Sequence, residues 1–318
     1  MPDKPTRLGV VMDPIDGIKP VKDSTLAMLL EAQSRGWELN YMEQRDLFVE
    51  DGHLRARVRR LTVADDKTSW FRLEPGQQAA LGELDVILMR KDPPFDMEFV
   101  YTTYLLGRAE EAGCLVVNRT ASLRDVSEKA YTMWFPQCCP PTLITRSMSE
   151  MRRFLEDHGA IVVKPLDGMG GRSIFVIRSG DANTNVILET LTENEQRFAM
   201  AQRYVPEIST GGDKRILLID GEPYPHCLAR IPPAGDNRGN LAVGATAEGR
   251  ELSDRDRWIC SQVGPVLRDK GIIFAGLDVI GDYLTEINVT SPTGIRELDQ
   301  MYSDNICGAL FDAIEKHL

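Results

Sequence analysis

The first third of the chain alternates short apolar runs with amphipathic stretches of helical period. Leu8–Met12 reads as a buried strand. Ser24 reads as the N-cap of a helix over 25–35, in which Leu26, Leu29 and Leu30 share a face and Gly36 follows the end. Trp37–Met42 is a strand, 43–83 is polar and less regular, and Leu84–Met89 is a further apolar run. A helix over 97–112 and a strand at Cys114–Val117 close the series. Strands alternating with helices predict parallel βαβ units, hence a layered α/β domain over about 1–124. In such sheets ligands bind beyond the C-terminal strand ends. Those ends carry Asp13-Pro14 and Arg90-Lys91-Asp92-Pro93-Pro94. An arginine stiffened there by two prolines is suited to grip a carboxylate with two hydrogen bonds. A solvated loop with charged tips accounts for the same residues.

The rhythm then changes. Over about 125–204 the pattern predicts a short helix at 128–135, a strand at Thr142–Thr145, and a helix over 149–158 capped by Ser149 and closed by Gly159. Ile161–Pro165 and Ile174–Ile177 are strands around Leu166-Asp167-Gly168-Met169-Gly170-Gly171-Arg172-Ser173, and a further strand falls at 198–205. This is a small α+β unit organised about a glycine-rich hairpin. From 205 to 318, Lys214–Ile219 and Tyr224–Ile231 flank Asp220-Gly221, a hairpin signal. Residues 231–250 are rich in Gly, Pro and Asn with little periodicity, which suits a disordered segment or an active-site cover. A helix over 253–270, a second hairpin from 272–280 and 283–289, and a helix over 295–318 complete the reading.

Composition narrows the function. At 318 residues the chain holds two domains or three small ones. A net charge of -11 argues against nucleic-acid and anionic-membrane partners, which need a basic face. There is no secretory h-region and no apolar run of membrane-spanning length. Six scattered cysteines, including the vicinal pair Cys138-Cys139, and four histidines show no zinc spacing. Free thiols in a reducing cytoplasm are expected.

Three motifs carry chemistry. The glycines of 168–171 let a backbone approach an anion without a Cβ between them, although a plain hairpin turn has the same composition. Lys164, on an apolar strand beneath that loop, needs an anionic partner. In the second hairpin, Glu286 and Asn288 share a strand face, and Asp278 lies on the strand before. Oxygen ligands of this kind suit magnesium, and a solvated polar face is the competing reading. Convergence depends on register. A two-residue Gly281-Asp282 turn would oppose Asp278 to Thr285, so the metal reading requires an odd-length loop. Finally, Ser291-Pro292-Thr293-Gly294 enters a helix whose first turn holds Arg296, a carboxylate-binding arrangement. Lys214, Arg215 and Arg230, each by itself an exposed strand charge, would join Lys129 and Lys164 in cancelling phosphate charge.

With these stretches assembled, the chain resembles the bacterial glutathione synthetases of the ATP-grasp superfamily. The likeness runs through Val11–Pro14, Leu88–Asp96, Ser122–Asp125, Lys164–Gly171, Gly212–Arg215, Cys227–Pro232, Arg238–Leu241 and Gly276–Glu297. The resemblance implies an N-terminal pre-ATP-grasp domain (1–124), a small lid (125–204) and a C-terminal subdomain (205–318). It implies an ATP-dependent ligase that joins γ-glutamylcysteine to glycine through an acyl phosphate, with magnesium, or manganese in its place, and a homo-oligomer, dimer or tetramer. By position, Lys129, Lys164, Asp167, Gly168, Met169, Gly170, Gly171 and Asp213 would contact the nucleotide. Gln202, Arg203, Tyr204 and Val205 would line the adenine pocket. Lys214, Arg230 and Asn240 would serve the phosphoryl group, and Asp278, Glu286 and Asn288 the metal. Arg90, Ser291, Pro292, Thr293, Gly294 and Arg296 would hold the peptide. Two other readings keep part of this: a ligase with a different acceptor, and an ATP-binding module without catalysis. An NAD-dependent oxidoreductase is disfavoured because no G-x-G-x-x-G follows the first strand.

Overall fold

A computed structural model describes residues 4–233 and 244–318. Its first body is built on a sheet in which β1 (Arg7–Val11) lies between two parallel neighbours. The chain runs from β1 through α1 (Ser24–Ser34) to β2 (Glu38–Met42). The N-cap of α1 is Asp23, whose carboxylate accepts from the Leu26 amide at 2.6 Å, one residue earlier than the expected Ser24. The stretch 43–83, expected to be irregular, holds β3 (Leu47–Glu50), β4 (His53–Val63), β5 (Phe71–Leu73) and β6 (Gln77–Ala80). β4 buries Leu54, Ala56 and Val58 in one apolar cluster and, after a step of three, Leu61 and Val63 in the other, with Arg55 and Arg57 exposed and Arg59 and Arg60 half-buried at the change of face. Then follow β7 (Val86–Met89), α2 (Met97–Glu111), β8 (Leu115–Val117) and α3 (Thr120–Asp125). The sheet order is β3-β4-β2-β1-β7-β8, and β5 and β6 both pair with β4.

A four-stranded antiparallel sheet forms the second body. It contains β9 (Thr142–Thr145), α4 (Met148–His158), β10 (Ala160–Pro165), β11 (Phe175–Arg178), α5 (Thr184–Thr192) and β12 (Ala199–Arg203), in strand order β11-β10-β12-β9. Helix α4 is capped by Ser147 rather than Ser149 and ends at Gly159 with φ 72°. Helix α5 was not anticipated. The expected helix at 128–135 is a shorter 3-10 turn, Ala130–Trp134.

The third body starts with the single turn α6 (Ile208–Gly211). It is a five-stranded sheet of β13 (Asp213–Ile219), β14 (Glu222–Ile231), β15 (Thr246–Glu251), β16 (Phe274–Ile280) and β17 (Tyr283–Asn288). Helix α7 (Asp254–Asp269) covers it, opened by a Ser253–Asp256 capping box. The chain ends in α8 (Ile295–Tyr302) and α9 (Ile306–Glu315), two helices where one was expected, broken at Ser303 with φ 52°. The unpatterned stretch 231–250 is shorter than it reads, because its end pairs as β15 with β14.

Two buried apolar clusters run through both the first and third bodies. In one of them Trp37 meets Phe311 edge to face at 5.0 Å, which fixes α9 against the N-terminal sheet. Asn118 adds a polar staple. Its amide donates to the carbonyls of Phe274 (2.8 Å) and Val289 (2.7 Å), and its side-chain oxygen accepts from the Phe274 amide at 3.0 Å. The second body has a cluster of its own, from Met151, Leu155, Ile161, Val163, Ile177, Leu188 and neighbours within 143–201.

Candidate active site

A cleft of about 320 Å³ opens between the second body and the third. The glycine loop joins β10 to β11, antiparallel partners with Val163 opposite Phe175, and so overhangs this space. Gly170 and Gly171 take φ of 65° and 77°, the left-handed region that a Cβ disfavours. Val162, Ile174, Val176, Val205 and Ile280 make one wall apolar, next to the edge formed by Gln202, Arg203 and Tyr204. Gln202 donates to the Thr142 hydroxyl at 3.1 Å and Arg203 to the Tyr283 hydroxyl at 2.8 Å, so both are held by the surrounding protein.

The acidic hairpin reaches its register by an unexpected route. The turn is Gly281-Asp282, with Ile280 opposite Tyr283 and Val279 opposite Leu284. This is the even-length turn that would have separated the acids. A β-bulge at Thr285 adds one residue to β17 and restores the pairing, Asp278 opposite Glu286 and Gly276 opposite Asn288. The apolar pattern explains the choice. Leu284 and Val279 are both fully buried, and a three-residue turn would move Leu284 to the other face.

Around these acids stand four buried cations. Arg215 grips Asp278 with two hydrogen bonds, of 2.5 and 3.0 Å, and Arg230 reaches the same carboxylate at 3.0 Å and also pairs with Asp213. Lys164 lies 3.4 Å from both Glu286 and the Thr285 carbonyl. Lys129 lies 3.5 Å from Glu286 and donates to the Gly168 carbonyl at 2.5 Å, tying the loop to the floor. Burial alone would raise Asp278 and Glu286, but Arg215 and Arg230 hold the first well below the usual carboxylate range, and Lys129 and Lys164 lower the second. For Lys129, burial is outweighed by Glu286 and Glu128, and its affinity for the proton rises. Lys164 goes the other way, because burial dominates. Asp213 is pushed up to about 7 by burial, with Asp278 and Glu286 adding to the effect against Arg230. Glu128, on the same wall, is likewise raised by burial and by Glu286.

Several expected residues stand elsewhere. Lys214 does not line the cleft. Alternation along β13 turns Asp213 and Arg215 inward and sends Lys214 to the opposite face, where it pairs with buried Asp256 of α7. Arg215, grouped with the other cations in sequence but given no role of its own, takes the place beside Asp278. Asp167 turns to Arg197 on the exposed side of the loop. Arg296 pairs with Asp65 on the far side of α8 and does not reach the cleft. Arg90 is buried beneath it, donating to the Thr25 hydroxyl (3.1 Å) and the Pro292 carbonyl (3.0 Å), and so supports the turn from behind. Ser291, Pro292 and Thr293 do line the cleft, with Ser291 donating to Asp92 at 2.6 Å, whereas Gly294 caps α8 outside it. Asn240 lies outside the described residues.

The oxygen set fits a magnesium ion working with phosphate. Asp278, Glu286 and Asn288 all face the cleft. The Asn288 amide is spent on the Gly276 carbonyl at 3.2 Å, which leaves its oxygen for a cation. One carboxylate oxygen of Asp213 is buried with no partner among the described residues. Among the described residues, no three His, Cys, Asp or Glu side chains group to hold a metal unaided, and magnesium bound through phosphates needs no such cage.

Comparison with known proteins agrees with this geometry. Residues 6–124 match the family model described as prokaryotic glutathione synthetase, N-terminal domain, and residues 128–303 match prokaryotic glutathione synthetase, ATP-grasp domain. The glutathione synthetase of Pseudomonas syringae pv. tomato is 61% identical over 312 residues, 98% of each chain. That of Yersinia pestis is 56% identical over 313 residues, again 98% of each. Among solved structures, D-cycloserine synthetase DcsG aligns with TM-score 0.68 at 15% identity, covering 98% of this chain and 99% of its own. The ATP-grasp ligase PsnB with its minimal precursor aligns with TM-score 0.64 at 20% identity, covering 98% and 99%. The last two speak for the fold alone. The relatives and the two adjoining family matches together assign the family: the chain belongs to the prokaryotic glutathione synthetases, built on the ATP-grasp fold.

Proposed function

We propose that the protein joins the C-terminal carboxylate of γ-glutamylcysteine to the amine of glycine, converting ATP to ADP and phosphate. The observation that supports this most directly is the meeting of four buried cations with the bulge-aligned Asp278–Glu286 pair beneath a glycine loop. In this reading a carboxylate oxygen of the peptide attacks the γ-phosphorus of ATP. The bond from that phosphorus to the β–γ bridging oxygen breaks, ADP leaves with the electron pair, and an acyl phosphate forms. The glycine amine then attacks the acyl carbon, the carbon–oxygen bond to phosphate breaks, and the amine gives up one proton.

Lys129, Lys164 and the backbone N–H groups of Gly168–Gly171 neutralise and cover the phosphates. The apolar wall beside Gln202–Val205 takes the adenine. Arg215 and Arg230 meet the charge of the transferred phosphoryl group. Ser291–Thr293, backed by Arg90, takes a substrate carboxylate, and Asn240 enters this reading through the resemblance alone. A magnesium ion on Asp278, Glu286 and Asn288 would supply electrostatic stabilisation of phosphate oxygens, and manganese is the second choice. A cytoplasmic location and assembly as a dimer or tetramer belong to the same reading. No helix among the described residues is long and apolar enough to cross a membrane.

The test is ADP release by the purified protein given γ-glutamylcysteine, glycine and ATP-magnesium, repeated on Glu286→Gln. Turnover by the parent and a fall in kcat of about 100-fold or more in the variant are expected. Full activity in the variant would remove the metal assignment, and a parent inert toward these substrates would remove the substrate.

A further inference from the structure

Four side chains stand in a row across the sheet of the second body. Val176 of β11 pairs with Val162 of β10, Val162 with Gln202 of β12, and Gln202 with Thr142 of β9. Residues directly opposite one another share a face, and Val176, Val162 and Gln202 all line the cleft. Lys164, two residues beyond Val162 and so on the same face, lines it about 7 Å further along the strand. A nucleotide whose phosphates meet Lys164 therefore lays its base across the two valines, with one edge against Gln202.

Gln202 is buried, and the end of its amide that meets this edge is decided by Thr142, which does not itself line the cleft. The Thr142 hydroxyl donates to the Pro140 carbonyl at 2.8 Å. A hydroxyl has one hydrogen, so the Thr142 oxygen is left to accept, and it accepts from Gln202 Nε2 at 3.1 Å. An amide turned the other way would set its carbonyl oxygen against the Thr142 oxygen, two acceptors with no proton between them. The relay from Gln202 through Thr142 to Pro140 thus runs in one direction, and it leaves Gln202 Oε1 for the cleft. The backbone beside it is fixed as well, since the Arg203 amide donates to the Pro141 carbonyl at 2.9 Å.

We propose that Thr142 is a positioning residue that selects adenine by holding Gln202 with its oxygen toward the base. Adenine offers an amino donor at its 6-position, where guanine and hypoxanthine carry an oxygen. The fixed Oε1 accepts from the amino group. Against a 6-oxygen it meets a second acceptor, and two buried groups are left unpaired. The inference rests on the reading of this cleft as an ATP site and deepens it: the base is chosen by a residue that does not touch it.

Titration calorimetry of the full chain with ADP-magnesium and with the magnesium complex of inosine diphosphate tests it, without peptide or turnover. Hypoxanthine has the 6-oxygen of guanine but not its 2-amino group, so the comparison separates recognition at Gln202 from a clash of that amino group. The parent should bind ADP roughly 30-fold more tightly than inosine diphosphate. Thr142→Val keeps the β-branched shape and removes the hydroxyl, which frees the amide to turn. Its preference should fall to about threefold or less, with the circular dichroism of the parent kept. Thr142→Ser returns the hydroxyl and should return the preference. A purely structural loss would weaken both nucleotides together and leave their ratio unchanged. Equal binding of the two by the parent, binding of neither, a valine variant with the parent's ratio, or a serine variant without it would each overturn the proposal. A parent that prefers ADP yet is inert toward γ-glutamylcysteine and glycine would leave this inference standing and remove the substrate instead.

Discussion

Lys214 and Arg215 are adjacent, and strand alternation allows only one of them to face the cleft. The sequence grouped both with the other cations but could not orient them, because β13 is buried on both faces at Arg215–Leu218 and has no polar side to mark the outside. The absence of a side chain at Gly276 settles the matter from the neighbouring strand. A Cβ there would stand 2.7 Å from Arg215 Cδ and 3.1 Å from Pro292 Cβ, so Gly276 makes the room in which Arg215 lies against Asp278. The two basic residues should therefore fail differently. Lys214→Met strands the buried Asp256 carboxylate and should cost about 3 kcal/mol of stability in urea unfolding, with kcat little changed. Arg215→Met should cut kcat by about 100-fold or more, with its larger effect on turnover than on folding. Equal kinetic losses in the two variants would contradict the orientation of β13.

Among the elements, those marked by apolar runs and glycine punctuation were legible: the parallel strands of the first sheet, the Asp220-Gly221 hairpin, the glycine loop and the helix over 253–270. Strand β4 was missed, because arginines at 55, 57, 59 and 60 and a change of buried parity between Val58 and Leu61 hid its apolar positions in a polar stretch. The bulge at Thr285 was not legible, because two turn geometries place Asp278 opposite Glu286 and only the packing of Leu284 separates them. Thr285 contributes a carbonyl to Lys164 and is the extra residue of the pairing. Its deletion should leave every other partner of β17 in place, so the variant should fold, respond to magnesium and show a raised KM for ATP. Deleting Asp282 instead shortens a two-residue turn that cannot shrink. The register slips, each side chain changes face, and activity should vanish. Indistinguishable kinetics for the two deletions would argue against the bulge as the device that sets register.

Across the whole molecule, family membership was legible from many motifs in order, whereas the way the bodies join was not. The join depends on contacts distant in sequence, such as Asn118 with Phe274 and Val289, or Trp37 with Phe311, which no local pattern announces. These contacts bind the first and third bodies into shared cores, while the apolar cluster of the second lies within 143–201. Its links to the floor of the cleft include Lys129 to Gly168 and Lys164 to Glu286, groups that the phosphates would also engage. Heating should therefore expose a seam. In scanning calorimetry the free protein should melt in two steps, the second body first, and saturating ATP-magnesium should draw the steps together by binding only the intact state. A single transition with and without nucleotide would show the bodies to be already fused. The separate core thus makes the nucleotide a mortar as well as a reactant: much of the cohesion between the two halves of the cleft arrives with ATP and departs with ADP.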